Sequence, residues 1–310
     1  MRVLVLGGSG FIGASAVGRL RELGGEVATF HRGEGASIRG DRADLGSHRD
    51  GFARFAPDVV LDTIAYTEKD ATALVAAFRG IAGRIVVLSS QDVYASYGRL
   101  LRLERGAPEP GPSDEDAPLR ISRFPYRATA RPGEMAYDYD KILVERAAAA
   151  DPGLPVTVLR LPCVYGPGDR HHRVGQVLAC MHPGRPVLLD RAKAAWRWTR
   201  GSVGNVAEAI ALATMDARAS GRTYNLGEET ALTETEWTRA IGRAAGWSGE
   251  VRGVAKEDLS AGLSESYDFE HDLVADTRRI RRELGYRERL AFEAGLAAAV
   301  AWERTHPISE

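Results

Sequence analysis

Residues 2–13 read Arg-Val-Leu-Val-Leu-Gly-Gly-Ser-Gly-Phe-Ile-Gly, and the rest of the chain is organised by what this stretch can do. Its first five residues are a short Val/Leu run, the pattern of a parallel strand buried on both faces. Glycines 8, 10 and 13 satisfy G-x-G-x-x-G, and glycines 7, 10 and 13 satisfy G-x-x-G-x-x-G. Either spacing alone is weak, and a glycine-rich turn without a ligand would carry it equally. Context decides, because the loop follows a strand and opens a helix. Absent side chains let the backbone approach a pyrophosphate, and the helix start offers unpaired N–H groups. Gly7, Gly10, Phe11, Ile12 and Gly13 are therefore the candidate bed for a dinucleotide.

Outward from the loop, apolar periodicity predicts a helix over 11–23 and a strand over 26–30. Strands follow at 58–64 and 84–89, with a helix at 68–79 between them. A helix over 137–150 is stopped by Asp151-Pro152-Gly153 and precedes a strand at 156–161. A helix at 203–217, a strand at 223–226 and helices at 234–245 and 290–305 complete the reading. Alternation of short buried strands with helices implies an α/β fold, a Rossmann-type doubly wound parallel sheet. The 310 residues leave room for a smaller C-terminal substrate domain. The division expected is 1–166 plus about 200–228 for the dinucleotide domain, and about 167–199 plus 229–310 for the substrate domain.

Composition narrows the function classes. Apolar residues are 44% and charged residues 27% of the chain, the balance of a globular protein. A formal charge of −1 gives no bulk field to recruit nucleic acid or an anionic membrane. No run approaches a membrane span, and the N-terminus enters a strand pattern without a secretory leader. Two cysteines, Cys163 and Cys180, form no CxxC pair. The expected compartment is the cytoplasm and the expected partner a small-molecule substrate. The stretch 103–133 is the irregular one, holding Pro108, Pro110, Pro112, Pro118, Pro125 and Pro132. It is read either as a lid or substrate-facing excursion, or as a surface insertion.

Chemistry is expected at the strand ends. After the second strand, an acidic residue would bond a ribose 2′-hydroxyl, whereas this chain has His31-Arg32. A guanidinium suits a 2′-phosphate, so the cofactor is NAD(P) with a lean to NADP. Asp41 and Arg42 are placed for the adenine edge. Tyr137 and Lys141, four apart on the predicted helix, share a face, and a fixed ammonium lowers a phenol's pKa. Ser90, in Ser89-Ser90-Gln91-Asp92-Val93-Tyr94 at a strand end, would hold the substrate oxygen against Tyr137. Tyr139, two residues from Lys141, points elsewhere on such a helix.

With these parts in place the sequence resembles the extended short-chain dehydrogenase/reductase superfamily, specifically the NAD(P)-dependent epimerase/dehydratase family. The resemblance rests on 7–13 (GGSGFIG), 40–45 (GDRADL), 89–94 (SSQDVY), 116–119 (DAPL), 137–141 (YDYDK), 159–169 (LRLPCVYGPGD) and 276–286 (DTRRIRRELGY). It implies a catalytic Ser90, Tyr137 and Lys141, a nicotinamide wall of Leu161, Pro162 and Val164, and Ile64 and Ala65 under the dinucleotide. It also implies a homodimer through the helices at 68–79 and 137–150. Departures bear on the substrate. Gln91 stands where dehydratases of the family carry an acid, although Asp92 remains as a base. Cys163 stands where many nucleotide-sugar enzymes carry Asn. The 47-residue interval from Ser90 to Tyr137 is longer than usual.

Arg197 and Arg200, in Trp196-Arg197-Trp198-Thr199-Arg200, are candidates for a substrate diphosphate. The other reading makes the tryptophans an interdomain seam with exposed arginines between them. His171-His172 lacks partners at ligand spacing, so no metal is expected. Two functional readings follow. One is a redox enzyme on a hydroxyl or keto carbon, either an epimerase or a net dehydrogenase or ketoreductase. The other is a dinucleotide sensor that kept the fold without turnover.

Overall fold

The computed structural model describes residues 1–259 and 266–308. The strands, in chain order, are β1 Arg2–Leu6, β2 Glu26–His31, β3 Ile38–Arg39, β4 Val59–Asp62, β5 Arg84–Ser90 and β6 Val156–Leu161. They continue with β7 Cys163–Tyr165, β8 Val187–Asp190, β9 Arg200–Ser202, β10 Thr223–Asn225 and β11 Val251–Val254. Seven form one sheet in the order β10-β6-β5-β4-β1-β2-β3, and every pairing in it is parallel. From β1 the chain winds outward through β2 and β3, then returns to build β4, β5, β6 and β10 on the other side. The order therefore reverses between β1 and β4, where open α/β sheets bind ligands.

Period-two alternation sorts the strand residues between two cores. Val3, Val5, Val59, Leu61, Val86 and Leu88 face helices Phe11–Glu22 and Val203–Met215. Leu4, Leu6, Val60, Ile85 and Val87 face helices Glu68–Phe78 and Lys141–Ala148. Each such Val or Leu contributes about 1.5–3 kcal/mol on full burial. A third core, with Tyr165, Trp237, Ile241, Leu296 and Val300, belongs to the smaller C-terminal part. That part carries the β8–β11 pair and helices Glu234–Ala245 and Phe292–Thr305. Helix Arg278–Leu284 sits apart from it, burying Ile280 and Leu284 in the core on the sheet.

Two expectations need correction. The helix predicted over 137–150 begins only at Lys141 and runs Lys141–Ala148, because Asp140 caps it. Asp140 is extended (φ −157°, ψ 107°), and its carboxylate accepts from the Ile142 amide. Tyr137 instead ends a separate 3₁₀ turn, Met135–Tyr137. Tyr137 and Lys141 thus do not share a helical face. The stretch 103–133 forms no long element, yet it is fastened to the body. Leu119 bridges Tyr94, Ser113 bridges Ala275, and Glu115 and Arg120 are buried. Two runs in it, about 105–112 and 127–133, lie mainly at the surface.

Candidate active site

The glycine loop closes on itself before any ligand is considered. The Gly7 amide donates to the Phe30 carbonyl, and the Gly10 amide donates to the Gly7 carbonyl. A Cβ at Gly13 would lie 2.2 Å from the Gly7 carbonyl oxygen, and one at Gly7 would lie 2.5 Å from Thr63 Oγ1. Gly7 also has φ +82°, a conformation L side chains rarely adopt. Helix Phe11–Glu22 starts at Gly10 with no side-chain cap, so its first amides remain free for an anion. Register sets the floor beside it: Leu6 pairs Asp62, bringing Thr63, Ile64 and Ala65 next to the loop. These residues fit a dinucleotide pyrophosphate.

The expected adenine-side residues separate into two kinds. Arg32 has an 82% exposed side chain and reaches to within 3.7 Å of Asp41. His31 ends β2, with its Nδ1 buried and without a hydrogen-bond partner among the described residues. Arg42 is turned inward instead. Its Nε donates to the Ile64 carbonyl and its Nη2 to the fully buried Asp62. Its guanidinium buttresses the strand end, which leaves the exposed Asp41 and the local backbone for an adenine edge.

At the ends of β4 and β5, Lys141 is buried and its ammonium donates to the carbonyls of Ala65 (2.6 Å) and Leu88 (2.9 Å). Burial lowers its pKa to about 8, against the pull of Asp92 and Asp62. Ser90 pairs Leu161 in register, so the serine adjoins the wall of Leu161, Pro162, Cys163 and Val164. Ser90 Oγ accepts from the Asp92 amide. Gln91 is a tether: its Nε2 donates to the Leu226 carbonyl at 2.7 Å. The Cys163 thiol is free and buried, and burial raises its pKa.

The phenol brought to this centre is Tyr139. Its hydroxyl donates to Asp92 Oδ2 at 2.6 Å, and its ring centroid is 5.8 Å from Lys141 Nζ. The Tyr66 ring is 4.8 Å from the same ammonium, and Tyr126 lies 5.3 Å from Tyr139, centroid to centroid. Tyr137 is engaged on the outer side, under the Arg127 guanidinium, which also pairs with Asp138. In an extended stretch, residues two apart face the same way and a turn between them separates them. Asp138, which closes the 3₁₀ turn in a non-extended conformation (φ −105°, ψ 10°), does this here. The signal available in the sequence is Asp140, a strong N-cap type placed just before Lys141.

Beneath Asp92 lies Arg120, fully buried. Its Nε donates to the Asp92 carbonyl, and its Nη2 lies 3.6 Å from Asp140 and 4.0 Å from Asp92 Oδ1. Burial pushes the Asp92 carboxyl up from its usual range, with Arg120 and Tyr139 opposing. Behind the site, Arg160 makes a two-point pair with Glu145, which also accepts from Ser89. Sequence reasoning singles out none of Arg120, Arg160 and Glu145, since a charge is legible there and its partner is not.

The two arginines expected at a substrate diphosphate differ. Arg200 is buried, paired with Glu234 and lying 4.6 Å over the Trp237 ring. It serves the fold, so that expectation is corrected. Arg197 is exposed, donating through Nη1 to the Ala231 carbonyl. Trp196 is buried beside Trp198, their centroids 5.4 Å apart. His172 meets Glu303 at 2.7 Å and stacks near Trp302. No cluster of three or more metal-ligating side chains occurs among the described residues. Among them, too, no helix is long and apolar enough to cross a membrane.

The chain is 28% identical to a dTDP-glucose 4,6-dehydratase of Streptomyces niveus, over 98% of this chain and 93% of that one. It is 29% identical to a 2′-dehydrokanamycin reductase of Streptomyces kanamyceticus, over 94% and 79%. The crystal structure of a Thermus thermophilus UDP-glucose 4-epimerase complexed with NAD matches at 25% identity with a TM-score of 0.67, covering 98% and 99% of the chains. Residues 3–227 match the NAD dependent epimerase/dehydratase family, and the chain belongs to that family.

Proposed function

We propose that this protein is an oxidoreductase or epimerase that uses a nicotinamide dinucleotide on a hydroxyl or keto carbon of a sugar, nucleotide sugar or related metabolite. The observation that carries the reading is the clamped Lys141. Its ammonium is fixed between the ends of two strands beside the glycine loop, with Ser90 and Asp92 on the adjoining turn. Such placement on rigid elements is what positions a cofactor ribose and a substrate oxygen together.

When bound, the dinucleotide supplies a ring carbon that exchanges hydride with the substrate. Gly7, Gly10, Phe11, Ile12 and Gly13 would hold its pyrophosphate, and Ile64 and Ala65 would lie beneath it. Leu161, Pro162 and Val164 would wall the nicotinamide and exclude water. Lys141 would bond the ribose, and Ser90 would donate to the substrate oxygen as charge develops there. Arg197 and Cys163 would border the substrate.

Cofactor choice falls to Arg32. An exposed guanidinium after β2, 3.7 Å from the exposed Asp41, supports NADP, whereas several related structures are named as NAD complexes. The relatives' names, two for sugar nucleotides and one for dehydrokanamycin, support a sugar-like substrate. Gln91 favours a second reading, a net ketoreductase or dehydrogenase, because an amide tethered to Leu226 supplies no acid for eliminating water.

The proposed division is a dinucleotide domain of 1–166 plus about 200–228, and a substrate domain from the remainder. A cytoplasmic homodimer through helices Glu68–Phe78 and Lys141–Ala148 completes the proposal; light scattering at twice the monomer mass would support the pairing. The deciding experiment follows nicotinamide absorbance while purified protein meets NAD(H) or NADP(H) and a panel of sugar nucleotides, hydroxyl and keto compounds. Turnover of one class is expected. Tightly held oxidised cofactor with no net absorbance change, but an inverted product, marks the epimerase. Dinucleotide binding without conversion of any compound would replace the enzyme by a sensor.

A further inference from the structure

We infer that proton transfer runs through a Tyr139–Asp92 relay, with Tyr139 as the group touching the substrate oxygen and Asp92 as the terminal proton store. This rests on the redox reading above and goes beyond it by naming the acid–base pair.

The polarity of the contact carries the inference. Tyr139 donates its own proton to Asp92 Oδ2 at 2.6 Å, so its oxygen lone pairs remain available to accept from a substrate hydroxyl. In the oxidative direction the substrate O–H bond breaks and its proton passes to the Tyr139 oxygen. The Tyr139 proton moves to Asp92 Oδ2, while the carbinol hydride leaves for the oxidised nicotinamide dinucleotide. The alcohol becomes a carbonyl, the dinucleotide is reduced, and Asp92 ends neutral. Reduction is the reverse, with Asp92 supplying the proton.

The surroundings suit both ends. Burial keeps the Tyr139 phenol protonated, far above its ordinary value, so it works as a conduit rather than as a free phenolate. The raised Asp92 carboxyl can hold a proton closer to neutrality than an exposed one. Asp92 Oδ1 and Arg120 Nη2 are buried without hydrogen-bond partners among the described residues. The carboxylate is thus stabilised by charge at 4.0 Å but not locked by a second donor on that oxygen. Groups facing Asp92 are Arg120 from the 103–133 stretch, Tyr139 beside the helix cap, and Lys141 on the helix. Asp140 stands behind Arg120, and Tyr97 and Tyr126, bonded to each other at 2.7 Å, stand behind Tyr139. Tyr137 meets none of these in the contacts described, its ring being covered by Arg127.

The test compares Tyr139→Phe, Asp92→Asn and Tyr137→Phe in the full chain, with dinucleotide titration confirming that each variant folds and binds. On the substrate found above, Y139F and D92N should each lower kcat by about 100-fold or more, the size of an acid–base contribution. Their double variant should be scarcely worse, as members of one unit are not additive. Y137F should lose far less than either. The acid limb of kcat/KM for oxidation should vanish in D92N. Independently of turnover, an infrared titration of the Asp92 carboxyl (wild type minus D92N) should move to higher pH in Y139F, which has lost the donor to the carboxylate. A larger loss in Y137F than in Y139F, or an unmoved carboxyl titration in Y139F, overturns the relay while leaving the redox reading intact. A wild type that binds dinucleotide and turns over nothing removes both.

Discussion

Residues 2–13 and residues 104–140 both border the crevice, and they build it by opposite means. The first works through backbone: glycines remove side chains so that a strand, a turn and a helix start can crowd one another. The second works through buried side chains whose partners lie far away in sequence. Glu115 accepts from the Asn225 amide and pairs with Arg279, and Arg120 meets Asp92. A backbone device is written contiguously and tolerates almost no added atom. A side-chain device is dispersed, and its failure leaves charge without a partner.

The largest expected effect tests the second kind. Arg160→Met would strand Glu145 beneath Ser89 and release Tyr94 and the Glu115 carbonyl. Breaking one side of such a pair costs about 3–5 kcal/mol, to be read from urea unfolding; a loss below about 1 kcal/mol would equate this network with a surface pair.

Next comes the glycine loop. Gly13→Ala puts a methyl 2.2 Å from a carbonyl oxygen, and dinucleotide affinity should fall about 100-fold, some 2.7 kcal/mol. The melting temperature without dinucleotide should fall as well, because the Gly7 backbone must move to admit the methyl. Equal affinity in fluorescence titration would show that the loop does not contact the ligand.

Lys141 joins the two regions and supplies a pH test. Its folded pKa near 8 lies below the ordinary 10.5. Between these values the unfolded chain carries a proton that the folded chain lacks, so this group makes stability rise with pH across that window. Lys141→Gln should flatten the rise relative to wild type by on the order of 2 kcal/mol. Parallel curves for the two proteins from about pH 8 to 10 would contradict the buried position.

The smallest effect bounds the side-chain region itself. Replacing 105–111 by a short Gly-Ser link removes the Arg99–Glu109 pair and little else. Stability should change by less than about 1 kcal/mol, and a collapse would mean that the anchoring reaches further than residues 113–124.

Legibility follows the same division. The parallel sheet, the glycine loop and the place of Ser90 at a strand end are readable because each is encoded within a dozen residues. The start of the Lys141 helix is not, because alanine-rich periodicity outweighs a single capping aspartate. That difference takes Tyr137 off the Lys141 helix and leaves Tyr139 beside Asp92. Arg42 and Arg200 read as ligand contacts because a lone arginine in sequence looks available. Only the tertiary fold supplies Asp62 and Glu234, and each makes its arginine a brace. The stretch 103–133 is opaque for the same reason, its order deriving from Asn225, Ala275 and Arg279.

That last dependence bears on how the molecule comes into being. The whole seven-stranded sheet lies before residue 226, so a nascent chain could finish that sheet with the final eighty-odd residues, β11 among them, still unmade. Yet Ser113 would then lack Ala275, and Glu115 would lack Arg279. Closure of the crevice rim must wait for the last helices to emerge, which places the slow, long-range step of folding at the site of chemistry.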